Sequence, residues 1–186
     1  IIDIGVIMNI YGITFEELEK YFIDKNDKKF KATQVFDWVY RKRINSFDEM
    51  RNVSKETINT MKNDFYFEKL EIIQKQEDVD VAKYLLKLKD GEKVEAVVMY
   101  HDYGTSICIS TQVGCNMGCK FCESGRLKKV RNLEVYEMVS QILMVEEDIN
   151  KRLSHIVLMG IGEPFDNYNN VIKFIDIVNS DKGIAI

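Results

Sequence analysis

All four cysteines of the chain lie between positions 108 and 122, in the run CISTQVGCNMGCKFC. Cys115, Cys119 and Cys122 form a CxxxCxxC triplet, with Cys108 seven residues upstream. This spacing constrains the fold more than any other feature, because it calls for one short loop that gathers three thiols. Thiolate is a soft ligand that favours zinc, Cu(I) or iron–sulfur clusters. A structural zinc site takes four ligands, usually as two separated pairs. No second cysteine pair follows here, and His101 and His155 lie outside the loop at no usual finger spacing. Disulfide frameworks belong to small secreted domains. Iron–sulfur clusters usually take four cysteines. Three in one loop would hold three irons of a cubane and leave the fourth open, as a catalytic zinc keeps an open position. A structural metal knuckle is the competing reading.

The elements around this loop follow from local patterns. Thr14 with Glu17 makes a capping box for a helix to about Ile23. Lys31–Arg43 carries Val35, Trp38 and Val39 at helical spacing, with Trp38 expected in the core. Ser54 caps a third helix to about Phe65. The pattern then changes to strands at Glu71–Gln76, Val81–Leu88 and Val94–Tyr100, the last two joined through Asp90-Gly91, a hairpin signal. Thr105–Thr111 alternates and leads into the cysteine loop. A long helix from Glu134 to Asn150 places Met138, Ile142 and Val145 on one face, and His155–Met159 reads as a buried strand. The GIGEP turn, a helix over Asn169–Asn179 and a strand beginning at Gly183 complete the series. Strand, loop, helix, repeated, is the rhythm of parallel βα units, so the fold class is α/β.

Composition bears on partners. The net charge of −4 argues against a surface devoted to nonspecific nucleic-acid binding. Two basic runs stand against that total, Arg41-Lys42-Arg43 and Arg126–Arg131 (RLKKVR). Each reads first as a solvated helix end or loop. Beside a site acting on RNA, the second becomes a phosphate contact. No apolar run reaches membrane-spanning length. Ile1–Ile10 lacks a basic leading region and a small-residue cleavage site, so it is not read as a signal. Met8 is a candidate start, which would make Ile1–Ile7 upstream read-through. Reduced cysteines fit the cytoplasm.

The larger pattern resembles a known family. VEAVVMY at Val94–Tyr100, the cysteine run with Phe121 before its last cysteine, RNL at Arg131–Leu133 and GIGEPFDN at Gly160–Asn167 are similar to the RlmN/Cfr family of radical S-adenosylmethionine (SAM) RNA adenine C-methyltransferases. The resemblance runs from about Met8 to the last residue and covers about the first half of such an enzyme. It implies a small helical N-terminal domain (1–69, possible RNA contact), a β-hairpin extension (70–104) and the first units of a radical SAM partial (βα)6 barrel (105–186), truncated. It implies a [4Fe-4S] cluster on Cys115, Cys119 and Cys122, with SAM chelated at the open iron and cleaved by an electron to a 5′-deoxyadenosyl radical. Gly162 and Glu163 match the motif that meets the SAM amino group. Cys108 matches a cysteine that forms a disulfide with a methyl-carrying cysteine far downstream, a residue this chain lacks. Glu95 matches the family's proton acceptor, and a carboxylate among apolar neighbours has its pKa raised toward general-base range. Arg131 and Asn132 match the RN pair, with no contact assigned.

The expected activity is methylation of adenosine carbon 2 in 23S rRNA and tRNA with two SAM per turnover, served by a flavodoxin-like electron donor, in a monomer with no membrane association. Lacking the methyl-carrying cysteine, the chain by itself should not complete methyl transfer. Cfr-type methylation of carbon 8 in 23S rRNA, which confers antibiotic resistance, is the first alternative. A noncatalytic metal-structured RNA-binding module is an alternative of another class. One departure from the family is Glu123-Ser124-Gly125 followed by RLKK, where a small residue and a glycine-bearing stretch are usual.

Overall fold

The computed structural model describes residues 7–186, and most of the segment expected to precede a start at Met8 lies outside the described residues. Two units are formed, one from the N-terminal residues up to Glu68 together with Lys173–Ala185, the other from Lys69–Ile172.

In the first unit a short strand β1 (Met8–Asn9) leads to α1 (Phe15–Asp24). Helix α1 starts where the sequence predicts, because Thr14 accepts from the Glu17 amide at 3.2 Å and Glu17 accepts from the Thr14 amide at 3.1 Å. The helix expected over Lys31–Arg43 forms in two parts, α2 (Lys31–Phe36) and a π-helical turn over Asp37–Arg41. In that turn the Lys42 amide reaches back five residues to the Asp37 carbonyl, at 3.0 Å. Val39 and Tyr40 are buried there, but Trp38 is only half-buried, which corrects its placement in the core. Its indole N–H donates to Asn52 Oδ1, and Lys42 Nζ lies 3.7 Å from the ring centroid. A ring with a polar partner at one edge and a cation over one face is stable at a wet boundary. Helix α3 (Lys55–Asp64), capped by Ser54, runs directly into β2 (Phe65–Tyr66), which pairs with β1 in parallel. Leu18, Phe22, Val35, Phe36 and Met61 form the core.

The second unit holds a five-stranded sheet from β3 (Glu71–Glu77), β4 (Val81–Lys87), β5 (Lys93–His101), β6 (Gly104–Cys108) and β9 (His155–Val157), in that order. Neighbours from β3 to β6 are antiparallel, and β9 joins β6 in parallel. Between β6 and β9 come β7 (Gln112–Val113), the cysteine loop, β8 (Arg131–Asn132) and α4 (Val135–Ile149). Helix α4 begins with a capping box between Glu134 and Glu137 and stops at Asn150, which takes the left-handed conformation at φ 49°. Met138, Ile142 and Val145 are fully buried, as their spacing predicts. Alternation in β5 buries Val94, Ala96 and Val98 and turns Glu95, Val97 and Met99 to the other face.

Beyond β9, α5 (Tyr168–Asn179) forms as expected, its residues from Lys173 counting with the first unit. The strand expected from Gly183 does not form. The Gly183 amide closes a turn onto the Ser180 carbonyl at 2.9 Å, and a side chain at Gly183 would press within 2.8 Å of the Phe36 ring. Burial of Ile184 in the first unit's core wins over local strand propensity. Among the described residues no helix is long and apolar enough to cross a membrane.

Candidate functional site

Strand β6 delivers the chain to the site. Cys108 is its last residue, facing Val97 of β5 and Val157 of β9. Directly opposed residues share a face, so Cys108, Val97 and Glu95 lie on the same side of the sheet. Burial pushes the Cys108 thiol pKa up, partly offset by the Met159 backbone N–H. Glu95 sits in different surroundings from those expected. Its side chain is 41% exposed and pairs with Lys83 Nζ at 3.1 Å, because the pleat directs it away from the apolar face of β5.

From Cys108 the chain runs through Ile109, Ser110 and Thr111, all buried, into β7. The β7–β8 ribbon is the stem of the cysteine loop, closed by Val130 N–H to the Val113 carbonyl at 2.8 Å and Cys115 N–H to the Leu127 carbonyl at 2.9 Å. Gly114 makes this stem possible, since at φ 71° a Cβ would lie 2.1 Å from the Lys128 carbonyl oxygen. Within the loop, the Cys122 amide donates to the Cys119 carbonyl at 3.1 Å, and Asn116 Oδ1 accepts from the Lys129 amide at 3.1 Å. All four cysteines are free thiols, Cys119 exposed and the others half-buried. Cys108 has no disulfide partner in this chain.

The GIGEP segment docks against the same stretch. The Ile161 carbonyl accepts from the Thr111 and Gln112 amides at 2.9 and 3.2 Å, and the Ile161 amide donates to Ser110 Oγ at 3.1 Å. Gly162 stands at φ 110°, and a Cβ there would lie 2.6 Å from the Gln112 Cβ. The Glu163 amide donates to Gln112 Oε1 at 2.9 Å, and Glu163 Oε1 accepts from the Phe165 amide at 3.0 Å. Asn167 Nδ2 donates to the Thr111 and Leu133 carbonyls at 2.9 and 2.8 Å. The cysteine loop, the RNL segment and the GIGEP turn therefore meet around residues 109–112.

Sequence reasoning missed Gln112, Gln141 and Asn167 as parts of this framework. Gln141 bridges both backbone groups of Ser110, at 2.9 and 3.0 Å, from inside α4. A polar amide within an apolar run was the available signal. Arg131 holds Glu137 in a two-point ion pair, both bonds 2.8 Å, and reaches Asp90 at the β4–β5 hairpin tip at 2.7 Å. Asn132 donates to the Asp166 carbonyl at 3.0 Å.

Among the described residues no three metal-capable side chains converge where a single ion would bind. A cubane with one iron left open asks for a thiolate on each of its other three irons. The donor set here fits that demand: three uncommitted thiols in eight positions, on a loop anchored at its stem. Gly162 and Glu163 fit an amino-acid ligand beside it, with close backbone approach at the glycine and a carboxylate for an ammonium.

Comparison with known proteins bears on both units. Residues 8–66 match the ribosomal RNA large subunit methyltransferase N-terminal domain, and residues 103–185 match the 4Fe-4S single cluster domain. The chain is 50% identical over 184 residues to a probable dual-specificity RNA methyltransferase RlmN of Listeria welshimeri, covering 96% of this chain and 50% of that protein. A protein of the same description from Acholeplasma laidlawii is 48% identical over 180 residues, covering 96% and 53%. A crystal structure of a radical SAM methyltransferase from Sphaerobacter thermophilus superposes with a TM-score of 0.82 at 30% identity, over 95% of this chain and 53% of that one. The chain thus spans about half the length of the relatives it matches.

Proposed function

We propose that this chain is the N-terminal part of a radical SAM RNA methyltransferase of the RlmN family, and that the whole protein methylates carbon 2 of adenosine in 23S rRNA and in tRNA. The observation that carries this reading is the placement of Cys108 and Glu95 on one face of the sheet, at the end of the strand that leads into the cysteine loop. A radical SAM enzyme of another kind has no use for that pair.

Cys115, Cys119 and Cys122 would hold a [4Fe-4S] cluster, with Glu163 and the Gly162 backbone receiving the amino group of SAM. When bound, the cluster supplies the electron that cleaves the SAM sulfonium. Glu163 keeps one carboxylate oxygen on the Phe165 amide, which fixes its rotamer and leaves the second for an ammonium. Cys108 stays protonated near neutral pH in its half-buried seat, and it acts when a second thiol from the rest of the protein meets it. Glu95 takes a proton at the target base, and Lys83 Nζ, 3.1 Å from its carboxylate, orients it there. We read residues 1–69 as an accessory domain, 70–104 as a hairpin extension and 105–186 as the opening of the barrel. Arg126, Lys128 and Lys129 contact RNA phosphate, and an electron donor of the flavodoxin class serves the cluster in the cytoplasm.

The test uses a full-length protein reconstituted anaerobically with iron and sulfide, incubated with SAM, reductant and a 23S rRNA fragment. Nucleoside analysis should give 2-methyladenosine. Appearance of 8-methyladenosine would move the reading to the carbon 8 activity, and zinc in place of iron would end it. Cys108→Ala should retain SAM cleavage while losing released product.

A further inference from the structure

We propose that Gln112 is a positioning residue for SAM, holding the Gly162–Glu163 peptide where its carboxylate meets the amino group. This rests on the reading of Glu163 given above. Gln112 is fully buried, and its amide does two jobs at once. Its Oε1 accepts from the Glu163 backbone N–H at 2.9 Å, and its Nε2 donates to Asn132 Oδ1 at 2.8 Å. Asn132 Nδ2 in turn donates to the Asp166 carbonyl at 3.0 Å. A backbone donor at one end and a backbone acceptor at the other fix the direction of both amides, since reversing either would set oxygen against oxygen.

The chain of bonds spans the segment from Glu163 to Asp166, pinning the start and finish of the turn that presents the carboxylate. The stem of Gln112 also fills the space against Gly162, whose missing Cβ would sit 2.6 Å away. Behind Asn132, the adjacent Arg131 is anchored on the buried Glu137, so the far end of the relay is rigid. A buried amide that served only packing would not need both of its polar atoms spent on the motif and its neighbour.

The experiment measures the dissociation constant of labelled SAM by equilibrium dialysis in the full-length reconstituted protein, alongside iron content and the EPR spectrum of the reduced cluster without SAM. Four variants are compared: Gln112→Ala, Gln112→Glu, Glu163→Gln and the double variant Gln112→Ala/Glu163→Gln. Gln112→Ala should keep iron and the SAM-free spectrum while weakening SAM about tenfold. In the Glu163→Gln background the same change should add less than about twofold, because its effect runs through Glu163. Gln112→Glu preserves volume but cannot donate to Asn132, so it should weaken SAM as well. It decides the matter if the alanine variant fails to hold its cluster. Unchanged SAM affinity in the Gln112 variants, or an equal loss with and without Glu163, overturns the proposal. If Glu163→Gln itself leaves SAM affinity unchanged, the reading of Glu163 has failed and the inference falls with it.

Discussion

Single residues in this chain owe their character to which side of the backbone they face. Gly162 is the sharpest case, because both its φ of 110° and the nearby Gln112 stem exclude a side chain. Gly162→Ala should cost on the order of 2 kcal/mol in the stability of the second unit, read by chemical denaturation. An unchanged unfolding midpoint would mean that the turn relaxes freely. Cys108 makes a pH prediction. Its raised pKa means that the thiolate emerges at higher pH than in an ordinary cysteine, with burial the main cause. The native state then holds a proton that the unfolded chain has released, so this contribution to stability is present below the unfolded thiol's pKa and lost as pH rises through the folded one. Iodoacetamide labelling followed by mass spectrometry should find Cys108 alkylated more slowly than Cys119 near neutrality, with the gap closing at high pH.

Elements are held by their ends. The α1 capping box was readable from Thr14 and Glu17 alone, and Thr14→Ala should lower the stability of the first unit by about 1 kcal/mol. At the start of α4, Glu137 is buried and meets the Arg131 fork, which also clasps Asp90 on the hairpin tip. Removing the carboxylate with Glu137→Ala should destabilise the second unit by on the order of 2 kcal/mol, since Arg131 keeps Asp90 and some water. The Arg131 hydrogen bond holds the Asp90 carboxyl below the usual range. The clasp is therefore complete above the unfolded pKa of Asp90 and is lost as pH falls through its lower folded pKa. Carboxyl NMR on Asp90 should show the depressed midpoint, and Arg131→Gln should raise it. No single stretch of sequence announces this clasp, because its three members come from a hairpin, a two-residue strand and a helix.

On the scale of the whole molecule, the order β3-β4-β5-β6-β9 leaves β9 at one border of the sheet, paired among the described residues only with β6. A parallel strand at such a border presents unpaired backbone groups. Hydrogen exchange in this chain should be fast at the β9 amides that face away from β6. In a protein of the relatives' full length, a further strand should slow it. Equal exchange in both would place the added sequence elsewhere. The residues from Lys173 onward show how tertiary packing redirects the end of a pattern, since Gly183 and Ile184 serve the first unit's core instead of a strand.

The sequence alone determined the elements whose cause is local: the capped helices, the Asp90-Gly91 hairpin, the thiol loop and the glycine turn. Each depends on residues a few positions apart, where propensity, capping and spacing act directly. Tertiary structure decided what depends on meetings across the chain. It brought residues 109–112 together with Gly160–Glu163 and paired Glu95 with Lys83. It left Trp38 at a wet boundary and buried Gln112 between two backbone segments. Such meetings are set by the register of a sheet and by which buried polar group finds a partner, and neither is encoded in any one local window.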